Sequence, residues 1–432
     1  MDDAPIILEF LCYNKRVNLA DLLKKSLDSA LLELIRRIAD ESSALGFPIY
    51  LVGGSVRDLL LARPITDVDL TVEGDAIALG RALVKKYGGK ITVHDKFHTA
   101  TFYIQESKLE YRIPIIEYLD LISSRRETYP RPGALPNVTK SAIDDDLRRR
   151  DFTVNAMAIR VDGDGFGELL DPLHGQTDLE KKTIRVLHPN SFLDDPTRII
   201  RAVRYAARYG FDIEPETLKL INGESRKILS GLSGERLRHE FDLIFEEKEF
   251  STMFSRLAEM KILSAIEAPT FSASYASLND KLPEESLSIK IDRVTLGYLL
   301  WLTDSTPNTI QNLSRKLAFT AELTEVLVSA SALKQMLPDL QNAKPSAWTF
   351  AIEKMPLASI YGVYLMTNEK PLMDFLATWR HVKPITTGDD LKARGLEPGP
   401  KFKEILTRLR AAWLDGEVKT AEEEVKLLKE LL

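Results

Sequence analysis

The sequence predicts an α+β fold: a small mixed β-sheet with helices on one side, followed by an all-helical remainder. Three observations predict it. Residues 49–72 read strand, glycine turn, helix and strand in quick succession. Short extended runs then alternate with helical periodicity as far as Val161. From Phe211 to about Met260, and again over 286–380, the apolar residues recur at helical spacing. The 432 residues leave room for about two to four compact units. A composition of 44% hydrophobic and 28% charged residues excludes a disordered or fibrous chain. The net charge of −6 argues against a surface basic all over. It leaves nucleic-acid binding to local clusters of Lys and Arg. Cys12 is the lone cysteine, so neither a disulfide framework nor a cysteine zinc site is expected, and a reducing cytoplasm fits. The N-terminus is acidic where a secretory signal would be basic. No apolar run approaches the roughly eighteen residues of a membrane span, so no membrane partner is expected.

Taken in order, residues 18–45 read as one helix, with Leu22, Leu23, Leu27, Leu31, Leu32, Ile35 and Ile38 on its apolar side and Gly46-Phe47-Pro48 as its stop. Ile49–Val52 is a short buried strand. Gly53-Gly54 turns the chain into a helix that begins Ser55-Val56-Arg57-Asp58. Glycines at such a turn let backbone N–H groups approach a phosphate, and Arg57 can add a charged fork. In Thr66–Val72, alternation places Asp67 and Asp69 on one face and Val68 and Leu70 on the other. Like charges side by side on a strand are unfavourable without a counter-ion. Two carboxylates beside a phosphate-binding turn are what a pair of Mg²⁺ ions requires.

Ala76–Tyr87 is a second amphipathic helix ended by Gly88-Gly89, and 91–93 and 99–104 read as strands. Asp120 stands at a strand end. It is a candidate third carboxylate, with a helix or turn cap as the alternative. Three prolines and a glycine among polar residues make 125–140 a loop. Arg148-Arg149-Arg150-Asp151 precedes an apolar stretch, Val154–Val161, read as a buried strand. Arginines here can grip triphosphate oxygens, Asp151 can hold an arginine or a ribose, and Asn155 can bond the sugar. Arg198, Arg201, Arg204 and Arg208 recur at steps of three, three and four, making one basic stripe on a helix that Asp194 or Asp195 caps. The stripe is read as meeting nucleotide and RNA phosphates. Ala268–Glu285 reads as a linker, and Trp301, Trp348 and Trp379 read as packing residues. Lys401, Lys403, Arg408 and Arg410 lie on helical spacing, as an RNA-backbone contact or a solvated face.

Two stretches carry a resemblance. Gly53-Gly54-Ser55-Val56-Arg57-Asp58 followed by Asp67-Val68-Asp69-Leu70, and Arg150-Asp151-Phe152-Thr153-Val154-Asn155-Ala156, resemble the signature motifs of the class II nucleotidyltransferases, the tRNA CCA-adding enzymes and bacterial poly(A) polymerases. Asp195 and Arg198 fit that family's E-D-x-x-R motif, with Asp194 in place of its glutamate. Arg125, Glu127 and Tyr129 match the R-x-E-x-Y pattern of its flexible loop, which the resemblance implies helps the site switch from C to A. A passive surface loop is the alternative.

The resemblance implies a catalytic head over 46–160, a helical neck that reads the base over 161–265, and a helical body and tail that bind tRNA over 266–432. Residues 1–45, outside the resemblance, are expected to be an N-terminal helical extension. It implies transfer of CMP and AMP from CTP and ATP to the tRNA 3′ end, with Asp67 and Asp69 holding two Mg²⁺ ions. Gly53, Gly54, Arg57, Arg150, Asp151, Asn155, Asp195, Arg198, Arg201 and Arg204 are the expected nucleotide-binding residues. Base choice follows from hydrogen-bond polarity. Cytosine and adenine each present an amino donor beside a ring-nitrogen acceptor, which a carboxylate and a guanidinium complement. Uracil and guanine present the opposite pattern, and each unmet buried group costs roughly 1–3 kcal/mol. Addition of A alone, of CC alone or of a poly(A) tail are alternatives within the family. A non-catalytic RNA-binding protein is the alternative outside it.

Overall fold

Strand pairing in the N-terminal half follows the alternation in the sequence. The structure is a computed structural model and describes residues 17–65, 68–107 and 118–432. The chain forms two units, Met1–Gly231 and Leu232–Leu432. In the first, helices α1 (Ala20–Ser26) and α2 (Ser29–Ala44) precede strand β1 (Ile49–Val52), helix α3 (Gly54–Leu60), strand β2 (Asp69–Val72) and helix α4 (Ala76–Tyr87). Strands β3 (Gly88–His94), β4 (Thr99–Ser107) and β5 (Tyr118–Ser123) follow, then β6 (Arg125–Thr128) and β7 (Asn137–Lys140). Helix α5 (Ile143–Arg148), strands β8 (Ala158–Arg160) and β9 (Leu169–Leu170), and helices α6 (Gly175–Glu180), α7 (Ser191–Asp194) and α8 (Thr197–Tyr209) carry the chain towards the unit's end.

Seven strands form one sheet in the order β3-β4-β5-β2-β1-β8-β9. Pairing is antiparallel except between β2 and β5, so the sheet is mixed, as expected. Leu70, Phe102, Leu119 and Leu121 are fully buried, and α4 packs against β3, β4 and β5. Asp75 sets the start of α4 by accepting from the N–H groups of Ile77 and Ala78, both at 3.0 Å. The opposite face of β5 shows Tyr118, Asp120 and Ile122, none of them buried.

Three local readings change. The helix expected over 18–45 is two, because Leu27 is extended and the Asp28 carboxylate accepts from Ala30 N–H at 2.8 Å, starting a new helix. The loop expected over 125–140 is a hairpin with Arg125 opposite Lys140 and Glu127 opposite Val138. Its three prolines lie in the connection between β6 and β7, where no ladder N–H is needed. The strand expected over 154–161 begins only at Ala158. Thr153–Asn155 is a tight 3₁₀ turn closed by Ala156 N–H to the Thr153 carbonyl, and that turn aims Asn155.

The second unit is helical. Phe241, Phe245, Phe254, Tyr298 and Trp301 form its aromatic core, with Phe254 and Trp301 centroids 4.8 Å apart. Trp348 is buried too. The stretch read as a linker is packed rather than free: Trp301 Nε1 donates to Pro269 O, and Asn279 Nδ2 to Phe245 O, both at 2.9 Å. Among the described residues no helix is long and apolar enough to cross a membrane.

Near the C-terminus one carboxylate organises the backbone. Buried Glu424 accepts from Ile385 N–H at 2.9 Å, from Thr386 N–H at 2.6 Å and from the Trp413 indole. Burial pushes its titration up, but these donors outweigh burial and hold it below the usual glutamate value. Replacing Glu424 with Leu strands those donors and is expected to cost about 2–3 kcal/mol in denaturant unfolding. Because the folded-state value is depressed, Glu424 stabilises above the ordinary glutamate pKa. That contribution falls away as pH drops through the depressed value, and a pH series on wild type and Glu424→Leu should converge there.

Candidate active site

The site grows from β1, whose end is a glycine turn. Gly53 has φ +66° and ψ −125°, a conformation open essentially to glycine alone. Its position is also crowded: a Cβ there would lie 2.6 Å from Arg150 Nη1. The turn and the Arg150 guanidinium are therefore in contact. Arg150 Nη2 is held by Asp146 at 3.0 Å, while its Nε is buried with no hydrogen-bond partner in the protein.

Asp146 was not singled out from the sequence. It is 0% exposed and takes Arg149 Nε at 2.9 Å, Arg149 Nη2 at 2.7 Å, Arg150 Nη2 and the Arg125 N–H. Burial alone would raise its pKa; Arg149 and Arg150 outweigh it and lower the value. The signal was present: a carboxylate three and four residues before two arginines on helical spacing.

Arg57 is 4% exposed, and its guanidinium is held within the protein. Nε and Nη2 donate to Asp58 at 3.0 and 2.9 Å, Nη1 donates to Asn155 Oδ1 at 2.5 Å, and the group lies 4.5 Å from the Tyr209 ring centroid. The expected phosphate fork is thus a brace under the turn. Asn155 is likewise engaged at both ends, since its Nδ2 donates to Asp151 Oδ1 at 3.0 Å. Asp151 closes the chain with an ion pair to Arg201 at 2.7 Å. Burial raises the Asp151 pKa, and Arg201 and the Asn155 amide bring it below the ordinary value.

The arginine stripe on α8 does not lie along solvent. Arg198 and Arg204 are buried, and Arg57, Arg201, Arg204 and Arg208 ring Tyr205 at 5.3, 6.0, 4.9 and 5.9 Å. Tyr205 and Tyr209, spaced i and i+4 among arginines, went unremarked in the sequence. Asp195 Oδ1 accepts from Thr197 Oγ1 at 2.7 Å and Thr197 N–H at 3.2 Å, as a helix cap. Arg198 donates to Ser191 Oγ and to the Arg149 carbonyl, both at 2.8 Å. The hairpin reaches the same place. Glu127 takes Arg125 Nη2 and Arg149 Nη1, each at 3.1 Å, and Tyr129 donates to it at 3.1 Å. The Tyr129 hydroxyl lies 3.5 Å from Arg198 Nη2, and Gly133 N–H bonds the Leu193 carbonyl at 2.8 Å. Burial raises the Tyr129 pKa, so the hydroxyl stays protonated.

Of the expected carboxylates, Asp67 lies outside the described residues. Asp69 and Asp120 are in register on the parallel strands β2 and β5 and so share a face, with Thr101 Oγ1 donating to Asp120 at 2.6 Å. Hard oxygen donors on one open face fit Mg²⁺. No group of three His, Cys, Asp or Glu poised for a metal occurs among the described residues. Of the basic residues near the C-terminus, Arg408 pairs with Glu417 and Arg410 with Glu353, at 2.7 and 2.6 Å. Lys401 and Lys403 are exposed.

Residues 49–185 match the family model described as "Poly A polymerase head domain", and 210–271 match "Probable RNA and SrmB- binding site of polymerase A". The chain is 31% identical to the A-adding tRNA nucleotidyltransferase of Halalkalibacterium halodurans, over 96% of this chain and 95% of that one. The chain belongs to the tRNA nucleotidyltransferase family. It is also 27% identical to a CCA-adding enzyme of Streptococcus pneumoniae, over 90% of this chain and 94% of that one. A solved structure of a CCA-adding enzyme in an apo form superposes with a TM-score of 0.81 at 27% identity, covering 96% of this chain and 99% of that one. The family's head-domain match thus covers the sheet, the glycine turn and the Asp146 cluster.

Gly53→Ala is expected to cost about 1–3 kcal/mol of stability from backbone strain and to displace Arg150. Denaturant unfolding and ATP titration of the same variant check the two effects.

Proposed function

We propose that the protein completes the 3′ end of tRNA by nucleotidyl transfer, with the terminal adenosine as the nucleotide it adds. The observation that carries this reading is Arg150: a guanidinium packed on the glycine turn, braced by Asp146, with a buried donor still unmatched. A triphosphate oxygen at the turn supplies the missing acceptor. The near full-length likeness to a relative named for A addition supports the choice of nucleotide.

In this reading the 3′-hydroxyl of the RNA attacks the α-phosphorus of ATP. The new O–P bond forms as the bond to the bridging oxygen breaks, pyrophosphate leaves, and the hydroxyl proton passes to solvent. Asp69 and Asp120, with Asp67, would hold the divalent cations, two in the mechanism proposed here, that lower the pKa of the hydroxyl and neutralise the leaving group. Arg150 and the backbone of Gly53 and Gly54 hold the triphosphate. Arg57, Asn155, Asp151 and Arg201 form a continuous chain that fixes the turn against α8. Asp195 accepts from the adenine amino group and Arg198 donates to the ring nitrogen beside it. Thr197 orients the carboxylate, and Ser191 with the Arg149 carbonyl orients the guanidinium. The hairpin, through Glu127 and Arg149, sets the plane of Arg198. Synthesis of the whole CCA end, with CTP as a further substrate, is a second reading, favoured by the likeness to the CCA-adding structure.

The test uses tRNAs ending at the discriminator base, at C and at CC, each offered labelled CTP, ATP, UTP or GTP. AMP on the CC end alone is the expected result. Incorporation of CMP on the shorter ends supports the second reading. No incorporation in Mg²⁺ overturns both, and incorporation that survives excess chelator overturns the role given to the divalent cations. Arg198→Lys keeps the charge but loses the planar fork. Its kcat/KM for ATP should fall about 10- to 100-fold, the equivalent of one or two buried hydrogen bonds.

A further inference from the structure

The open face of the sheet holds more than carboxylates. Register across β5, β4 and β3 sets two parallel rows of side chains. One row runs Asp69, Asp120, Thr101, Thr92. The next runs Tyr118, Tyr103, Lys90. Both rows lie on the side away from α4, because Phe102 and Leu119, the neighbours of Tyr103 and Tyr118, are buried on the other. Tyr118 is 53% exposed, an unusual place for a large aromatic ring. It stands two residues from Asp120, about 7 Å along the strand. Its ring and that of Tyr103 are 6.3 Å apart and tilted by 53°, and Lys90 Nζ lies 5.6 Å from the Tyr103 centroid. Thr92 Oγ1 is 3.4 Å from the Tyr103 hydroxyl, which steadies the second ring.

We propose that Tyr118 and Tyr103 form a stacking platform for the unpaired 3′ end of the RNA acceptor, with Lys90 meeting its backbone. The proposal rests on the nucleotidyl-transfer reading above. Aromatic rings interleaved with a lysine form the side-chain set that binds single-stranded nucleic acid without regard to sequence. The spacing suits the reaction. A terminal base on Tyr118 leaves its own ribose within reach of Asp120 and Asp69, the row where the hydroxyl has to arrive. Closing the sheet does not need a ring at Tyr118, which stays 53% exposed even beside Tyr103.

The test is fluorescence anisotropy with two RNA minihelices of the same duplex, one blunt and one carrying an unpaired 3′ tail ending in CC. Wild type should bind the tailed duplex more tightly than the blunt one. Tyr118→Ala should remove about tenfold or more of that preference. Tyr118→Phe should keep it, and Tyr118→Leu, apolar but without a ring, should behave like Ala. All three should bind the blunt duplex as wild type does, which also reports that they are folded. A tail preference unchanged in Tyr118→Ala, or equal in the Leu and Phe variants, overturns the platform. So does a wild type that incorporates AMP yet shows no tail preference. Absence of incorporation on any tRNA end overturns the nucleotidyl-transfer reading instead, and that assay is read separately.

Discussion

A guanidinium taken out of water has to be met by acceptors, and that requirement organises the N-terminal unit. Asp146 meets it for Arg149 and Arg150, and Asp58 and Asn155 for Arg57, while buried Asp151 is met in turn by the half-buried Arg201. An uncompensated buried charge costs about 3–5 kcal/mol when its partner is removed. Each pair therefore fixes the elements that carry it. Together they tie the glycine turn, α3, α5, the 153–155 turn and α8 into one frame. The same pairs leave Arg150 Nε as a donor without an acceptor at the turn. In the proposed reading, structural pairing and triphosphate binding thus share one set of arginines.

The hairpin is joined to that frame by polar contacts rather than by apolar packing. Its first strand alternates half-buried with exposed residues and its second is exposed but for Val138, and its attachment runs through Glu127, Tyr129 and the Gly133 backbone. Attachment by hydrogen bonds and charge is reversible at modest cost, since each net contribution is about 1–3 kcal/mol. An element held this way can shift its contacts to Arg198 while the sheet behind it stays fixed.

Much of this was legible in the sequence. The glycine turn, the Asp69 strand and the basic helix all lie where spacing placed them, and the mixed sheet followed from strands alternating with helices. What was not legible has a common cause. Arg57 and Arg204 read as charges directed at phosphates, and nothing in their spacing showed that tertiary partners far along the chain bury them. Nothing near Arg57 in sequence announces Asn155 or Tyr209. The hairpin at 125–140 was hidden by its prolines, which occupy the connection and leave the flanking strands intact. The break at Asp28 was hidden because apolar periodicity continues across it, while one side-chain cap starts a new helix. Asp146 is the instructive omission. Its spacing to Arg149 and Arg150 was readable, but a run of three aspartates looks like a solvated face until one of them is seen to be enclosed.

The parallel pairing of β2 with β5 has a consequence for folding. Every other pairing in the seven-stranded sheet is antiparallel, and several of these join neighbours in the chain. The β2–β5 contact alone aligns Asp69 with Asp120, and it closes over the whole α4-β3-β4 excursion. Such long-range closures are entropically costly and tend to form late. The carboxylate row therefore comes together only when the central seam of the sheet does. A partly assembled head, however helical, lacks it, so in the proposed reading the cation site waits on that long-range closure.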